Sequence, residues 1–195
     1  NIAIGSGAMA ANTTGTRNLA IGKAAYDASD TENDNIAIGH NAMTTNTAGG
    51  TKNVAVGNYA LDALTSGDNN IAIGHDALTA NTTASSNTAI GREAMKTTTT
   101  GDSNVAIGSQ ALLDNTTGAA NVAIGTSALE NNTTASNNTA VGTFAMIANT
   151  EGHSNTAVGK GSMTTNTVAV SNTAVGFESL KVMTGTGDGR NTAIG

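Results

Sequence analysis

Residues 1–5 read NIAIG, residues 70–74 repeat NIAIG, residues 121–125 read NVAIG and residues 191–195 read NTAIG. The phrase N-x-A-[I/V]-G begins at Asn1, Asn18, Asn35, Asn53, Asn70, Asn87, Asn104, Asn121, Asn138, Asn155, Asn172 and Asn191. The spacing is 17 residues throughout, except 18 after Asn35 and 19 after Asn172. So strict a period predicts stacked structural units, each covering an apolar face that its neighbour cannot bury alone. Two sizeable side chains per unit cannot offset the ordering entropy of seventeen residues, so an isolated coil is not viable.

Aligning the eleven full units gives N-x-A-[I/V]-G-x-x-[A/S]-[L/M]-x-x-N-T-T-x-x-x. Position eight is always Ala or Ser, position nine is Leu, Met or once Tyr26, and position thirteen is Thr except at Asp30. The odd lengths fall in AGGTK and GTGDGR, which marks one place in the unit as a surface turn. The expected fold is a mainly β repeat solenoid of 17-residue coils. Residues 1–195 form a single array, read as a window of a longer repetitive protein.

Within each coil the phrase predicts a short parallel strand, because branched residues at positions two and four alternate with Asn and Ala. Ile4, Ile73 and Ile124 are expected to point inward as core, and Gly5, Gly74 and Gly125 to turn the chain out of the strand. Asn1, Asn70 and Asn121 are expected to form a side-chain amide ladder along the stack. Ala3, Ala72 and Ala123 belong to a column that never changes, which a freely solvated face would not require. Either that column is a second core layer of a thin coil, or Ala20, Ala37, Ala55, Ala89, Ala106 and Ala140 mark a contact between identical chains. The stretch after the glycine, such as SQALLD (109–114), is rich in helix formers and predicts one short helical turn, with a second strand as the alternative. NTT is then the turn back.

Composition narrows the function. Charged residues are 11%, aromatics 2%, and Trp, Pro and Cys are absent. A net charge of −6 with Lys and Arg scattered singly gives no nucleic-acid footprint. No apolar run approaches the roughly 18 residues of a membrane span. The lack of cysteine suits an exported protein that does without disulfides.

The phrases NTAIG, GxxAL and NTTG, repeated over the entire chain, resemble the NTAIG-type repeats of phage tail-fibre proteins and of large secreted bacterial surface proteins. They are more distantly similar to the head repeats of trimeric autotransporter adhesins. The resemblance implies a secreted or virion-borne shaft, homo-oligomeric and involved in attachment.

Chemistry-bearing residues are sparse. His40 and His75 lie two coils apart, about 10 Å by strand spacing, too far to share a metal ion; His153 has no nucleophilic motif beside it. Asp68, Asp102 and Asp188 sit in turns, and Asp30, Glu32 and Asp34 cluster in DTEND; such oxygen-rich turns could hold Ca²⁺, but without an EF-hand loop or a regular Gly-Asp nonapeptide simple turn formation is the expected reading. Asn12, Asn81, Asn115 and Asn132 begin sequons that a turn needing Asn and Thr would produce anyway. A Thr ladder at position thirteen is the layout for binding ice, but the neighbouring column (Ala48, Glu151, Val168, Gly185) is irregular.

The function expected is therefore structural: the shaft of an extracellular fibre, at a cell surface or on a virion, assembled as a parallel homo-oligomer with a trimer favoured. The alternative is a glycan- or receptor-binding module using variable residues such as Tyr59, Arg92, Glu93, Phe144, Lys160, Phe177 and Glu178. No enzymatic constellation, cofactor or nucleic-acid partner is expected.

Overall fold

The computed structural model describes residues 1–46, 49–182 and 189–195. Each N-x-A-[I/V]-G phrase supplies one three-residue strand: β1 (Ile2–Ile4), β2 (Leu19–Ile21), β3 (Ile36–Ile38), β4 (Val54–Val56), β5 (Ile71–Ile73), β6 (Thr88–Ile90), β7 (Val105–Ile107), β8 (Val122–Ile124), β9 (Thr139–Val141), β10 (Thr156–Val158), β11 (Thr173–Val175) and β12 (Thr192–Ile194). The strands form one all-parallel sheet in sequence order. Ala pairs with Ala at every step, as in Ala55 with Ala72 and Ala72 with Ala89. The chain is a β-solenoid whose coil is one repeat. Of the two odd-length stretches, Ala48 of AGGTK and residues 185–188 of GTGDGR, Asp188 among them, lie outside the described residues.

The strands face the opposite way from the expectation based on hydrophobicity. From Ala20 to Ala174 the position-three alanines have no exposed surface, while Ile73 and Ile124 are 38% and 37% exposed. Ile4, Ile73 and Ile124 are thus outside the coil. Ala20, Ala37, Ala55, Ala89, Ala106 and Ala140 are core rather than an interface between chains. The reason is width. The interior already holds position-eight alanines, position-nine Leu or Met and position-twelve Asn, so only a methyl fits beneath the strand.

Asparagine finishes this narrow core. The Oδ1 of each position-one Asn accepts the backbone N–H of the next: Asn70 Oδ1 from Asn87 at 3.0 Å and Asn121 Oδ1 from Asn138 at 3.0 Å. Its Nδ2 donates to the position-fifteen carbonyl of its own coil, as Asn70 does to Ala84 and Asn121 to Ala135, both at 2.8 Å. Position-twelve Asn donates to that same carbonyl, at 3.0 Å from Asn132 to Ala135. Two amides per coil therefore satisfy turn groups that would otherwise be buried unpaired.

No helical turn forms after the strand. Positions seven and nine both have positive φ, +58° at Glu93 and +50° at Met95, which breaks any run of right-handed residues. Their N–H groups leave the coil: Glu93 donates to His75 O at 2.9 Å and Met95 to Ala111 O at 3.0 Å. Helix-forming composition lost because stacking offers the position-seven N–H a carbonyl in the preceding coil and the position-nine N–H one in the following coil. Position seventeen is also left-handed, with φ of +60° at Ser103 and +56° at Ala120. Ala120 is exposed. Ala120→Gly should therefore stabilise the fold by about 0.5–1 kcal/mol, read as a raised denaturation midpoint.

Tyr26 is the one aromatic inside, where other coils carry Leu or Met. Its hydroxyl accepts Asn35 Nδ2 at 2.7 Å, and Ser29 stands where most coils place the larger position-twelve Asn. Burial, the largest cause, pushes its pKa up to about 12. Because the folded value lies above the unfolded value of about 10, stability is intact below pH 10 and falls as the unfolded chain ionises first. A loss of about 2–3 kcal/mol is expected between pH 10 and 12. Tyr26→Phe should flatten that slope in denaturant titrations run at stepped pH.

Candidate assembly interface

With Asn and Ala turned in, the sheet presents positions two and four to the outside. Position two runs Ile2, Leu19, Ile36, Val54, Ile71, Thr88, Val105, Val122, Thr139, Thr156, Thr173, Thr192. Position four runs Ile4, Ile21, Ile38, Val56, Ile73, Ile90, Ile107, Ile124, Val141, Val158, Val175, Ile194. Every residue except Leu19 is β-branched and none is charged. Branching at Cβ suits the pleat and holds the side chains in few rotamers, so the face is rigid; it is apolar at position four throughout, while position two is Thr in β6 and in β9–β12.

Ile36, Ile71, Ile73, Ile107, Ile124 and Val175 keep 36–38% of their surface open although each is flanked by neighbouring strands. Eleven strand spacings of about 4.8 Å and a width of roughly 12 Å give a strip on the order of 600 Å². That is the top of the range for the largest apolar patch on a monomer, and near the surface each partner gives to a standard interface.

Elsewhere the polar residues brace turns. Position-thirteen threonines donate along the stack, Thr99 Oγ1 to Thr116 O at 3.2 Å and Thr116 Oγ1 to Thr133 O at 3.0 Å, so their hydroxyls are spent within the fold. Asp68 Oδ1 accepts Thr51 N–H at 2.7 Å and Asp102 Oδ1 accepts Ser85 N–H at 2.6 Å. In DTEND the carboxylates diverge: Glu32 is buried and accepts Gly49 N–H at 3.1 Å, whereas Asp34 pairs with Arg17. Hydrogen bonding to Arg17 holds the Asp34 carboxyl below its usual range. Among the described residues no three acidic or histidine side chains are gathered as a metal site. Asn81, Asn115 and Asn132 are fully buried, so in the folded chain these sequon side chains lie inside the coil.

The variable surface at positions six, seven and ten brings together residues that are distant in sequence. Tyr59 lies between His40 and His75, with ring centroids 5.3 and 5.9 Å away and edge-to-face. Lys96 Nζ bridges Asp76 and Glu93, each at 3.2 Å, and Glu93 also meets Arg92. Hydrogen bonding to Asp76 and then Glu93 raises the Lys96 pKa, and hydrogen bonding to Lys96 lowers that of Glu93. These groups are solvated, so the network orders the surface more than it stabilises it. Phe144, Lys160 and Glu178 line one shallow cavity, described below, while His153 is exposed and only 3.3 Å from Ser154 Oγ.

Comparison with family models, with curated proteins and with solved structures finds no match. The outer strand face is therefore read from its own geometry. Sequence reasoning missed it by placing Ile inside. The available signal was position two, whose drift from Ile71 to Thr139 is that of an outward residue, against an Ala column that never changes. It also passed over position fifteen, mostly Gly or Ala, where Gly101 has Gly118 O and Asn115 Nδ2 against it and leaves no room for a side chain. Among the described residues no helix is long and apolar enough to cross a membrane.

Proposed function

We propose that the chain is a segment of the structural shaft of an extracellular, homo-oligomeric attachment fibre, in which parallel copies pack through the outer face of β1–β12. The observation that carries this reading is the uncharged double column of β-branched side chains running the length of the sheet. Burying roughly 600 Å² per chain at about 25 cal/mol per Å² yields on the order of 15 kcal/mol, against about 4–15 kcal/mol lost on association. The aliphatic part of the face is thus large enough to drive association, and the five position-two threonines add only uncharged hydroxyls to it.

Three chains around a common axis use both columns. Each position-two column meets the position-four column of the next copy, a cyclic arrangement that closes and stays in register because all copies share one repeat. The fibre reading also fits a chain of low charge without cysteine, and the resemblance to phage and bacterial surface repeats.

Sedimentation velocity with small-angle scattering tests it. The expected result is a rod-shaped trimer at about 10 µM, for which micromolar affinity suffices. A monomer that stays dispersed at about a hundred times that concentration would sink the reading.

A further inference from the structure

Outside the strands, side chains at positions six, seven and ten of the last three coils frame a shallow, open cavity of about 370 Å³. We infer that it is a binding site for an acidic sugar residue, with the ring laid against Phe144 and the carboxylate held by Lys160.

The cavity exists because position seven is Gly161. In the stacked column its neighbours are Phe144 and Glu178, so one missing side chain opens a gap of two strand spacings, about 9.6 Å. The fold does not require that glycine. Ala24, Asn41, Tyr59, Asp76, Glu93, Gln110, Ser127, Phe144 and Glu178 occupy the same position with φ of +51° to +60°, close to the +67° of Gly161. A Cβ at Gly161 would make ordinary contact, 3.4 Å from Thr164 Oγ1 and from Glu178 Cγ. Position seven is otherwise glycine only at Gly7, beside Ala24 in the first coil, so an opening between two large side chains is local to this coil and is not a constraint of the backbone.

The walls differ in chemistry. Phe144, 43% exposed and with no aromatic partner among the described residues, and Ile147 give one apolar side. Lys160 and Lys181 give the other. Lys181 is held by Glu178 at 3.0 Å, whereas Lys160 is exposed and has no acidic partner within ion-pair distance among the described residues. A local excess of cation in a chain of net charge −6 selects an anion. Thr164 donates its hydroxyl to the Gly161 carbonyl, which leaves Glu178 to accept from ligand hydroxyls. An aromatic wall, one free ammonium and one hydroxyl acceptor around a volume at the small end of ligand sites fit one pyranose ring bearing a carboxylate.

The site is separate from the strand face, so it stands or falls independently of lateral assembly. The test is saturation-transfer NMR on the full chain, using digalacturonate and its carboxyl-reduced neutral counterpart. Digalacturonate should bind in the millimolar range and at least about tenfold more tightly than the neutral sugar. Gly161→Gln, which places at this position the residue that Gln110 supplies in another coil, should fill the notch and weaken binding about tenfold or more. Lys160→Gln should erase the preference for the acid while leaving circular dichroism and sedimentation unchanged. Equal binding of the two sugars, wild-type binding by Gly161→Gln, or no transfer from digalacturonate would each overturn the assignment.

Discussion

Replacing Ile73 and Ile107 together by lysine is expected to abolish association while the solenoid stays folded. Both side chains are outside the coil, 38% and 37% exposed, on strands separated only by β6. In a single chain the lysine stems can lie along the strip and lift their ammonium groups into water, at a cost near the 1 kcal/mol span of β propensity. In an assembly the same groups would be sealed against an apolar face without a counter-ion. Each uncompensated charge costs several kcal/mol. The dissociation constant should rise by at least about a thousandfold, with circular dichroism preserved. Sedimentation of the double variant beside an Ile73→Val, Ile107→Val control checks this. A double variant that still sediments as the parent would place the interface elsewhere.

The second large effect is expected at Gly74→Ala. Gly74 has φ of +139°, and a Cβ built there would lie 2.6 Å from the carbonyl carbon of Gly91 and against its oxygen. Nothing nearby can yield, because Gly91 meets Gly108 in the same way and the close approach is passed along the stack. Strain and overlap together should cost about 4 kcal/mol. The loss will not spread evenly, since each coil touches only its neighbours. Hydrogen exchange should quicken first at Gly74 and Gly91, whose N–H groups donate to Val56 and Ile73 at 2.8 Å, and the melt should broaden. Unchanged exchange there would mean the column has slack that its geometry does not show.

Much of the fold was legible because the repeat is so regular. The period gave the coil, the phrase N-x-A-[I/V]-G gave the strand, and the glycine gave its end. Direction was the part that hydrophobicity misread. For one chain in water, Ile inside and Ala outside is the sound default. That default fails when the space beneath the strand is only wide enough for Ala and Asn. The loop after the glycine misled for a related reason. Leu112 and Ala111 favour a helix in isolation, yet Leu112 N–H reaches Ala128 O at 2.9 Å in the next coil, and that partner outweighs local propensity. The cavity over Gly161 was not legible. It depends on which side chains stand one coil above and below, 17 residues away in each direction.

Strand N–H groups, the bonds accepted by position-one asparagine oxygens and the threonine hydroxyls all run from one coil to the next. Tension along the stack therefore pulls those bonds open lengthwise, a few at a time, instead of shearing many at once. A coil that lets go exchanges about 4.8 Å of height for 17 residues of free contour, a gain of roughly 50 Å. Pulled from its ends, the chain would extend in a sawtooth of near-equal steps and dissipate the work of pulling coil by coil.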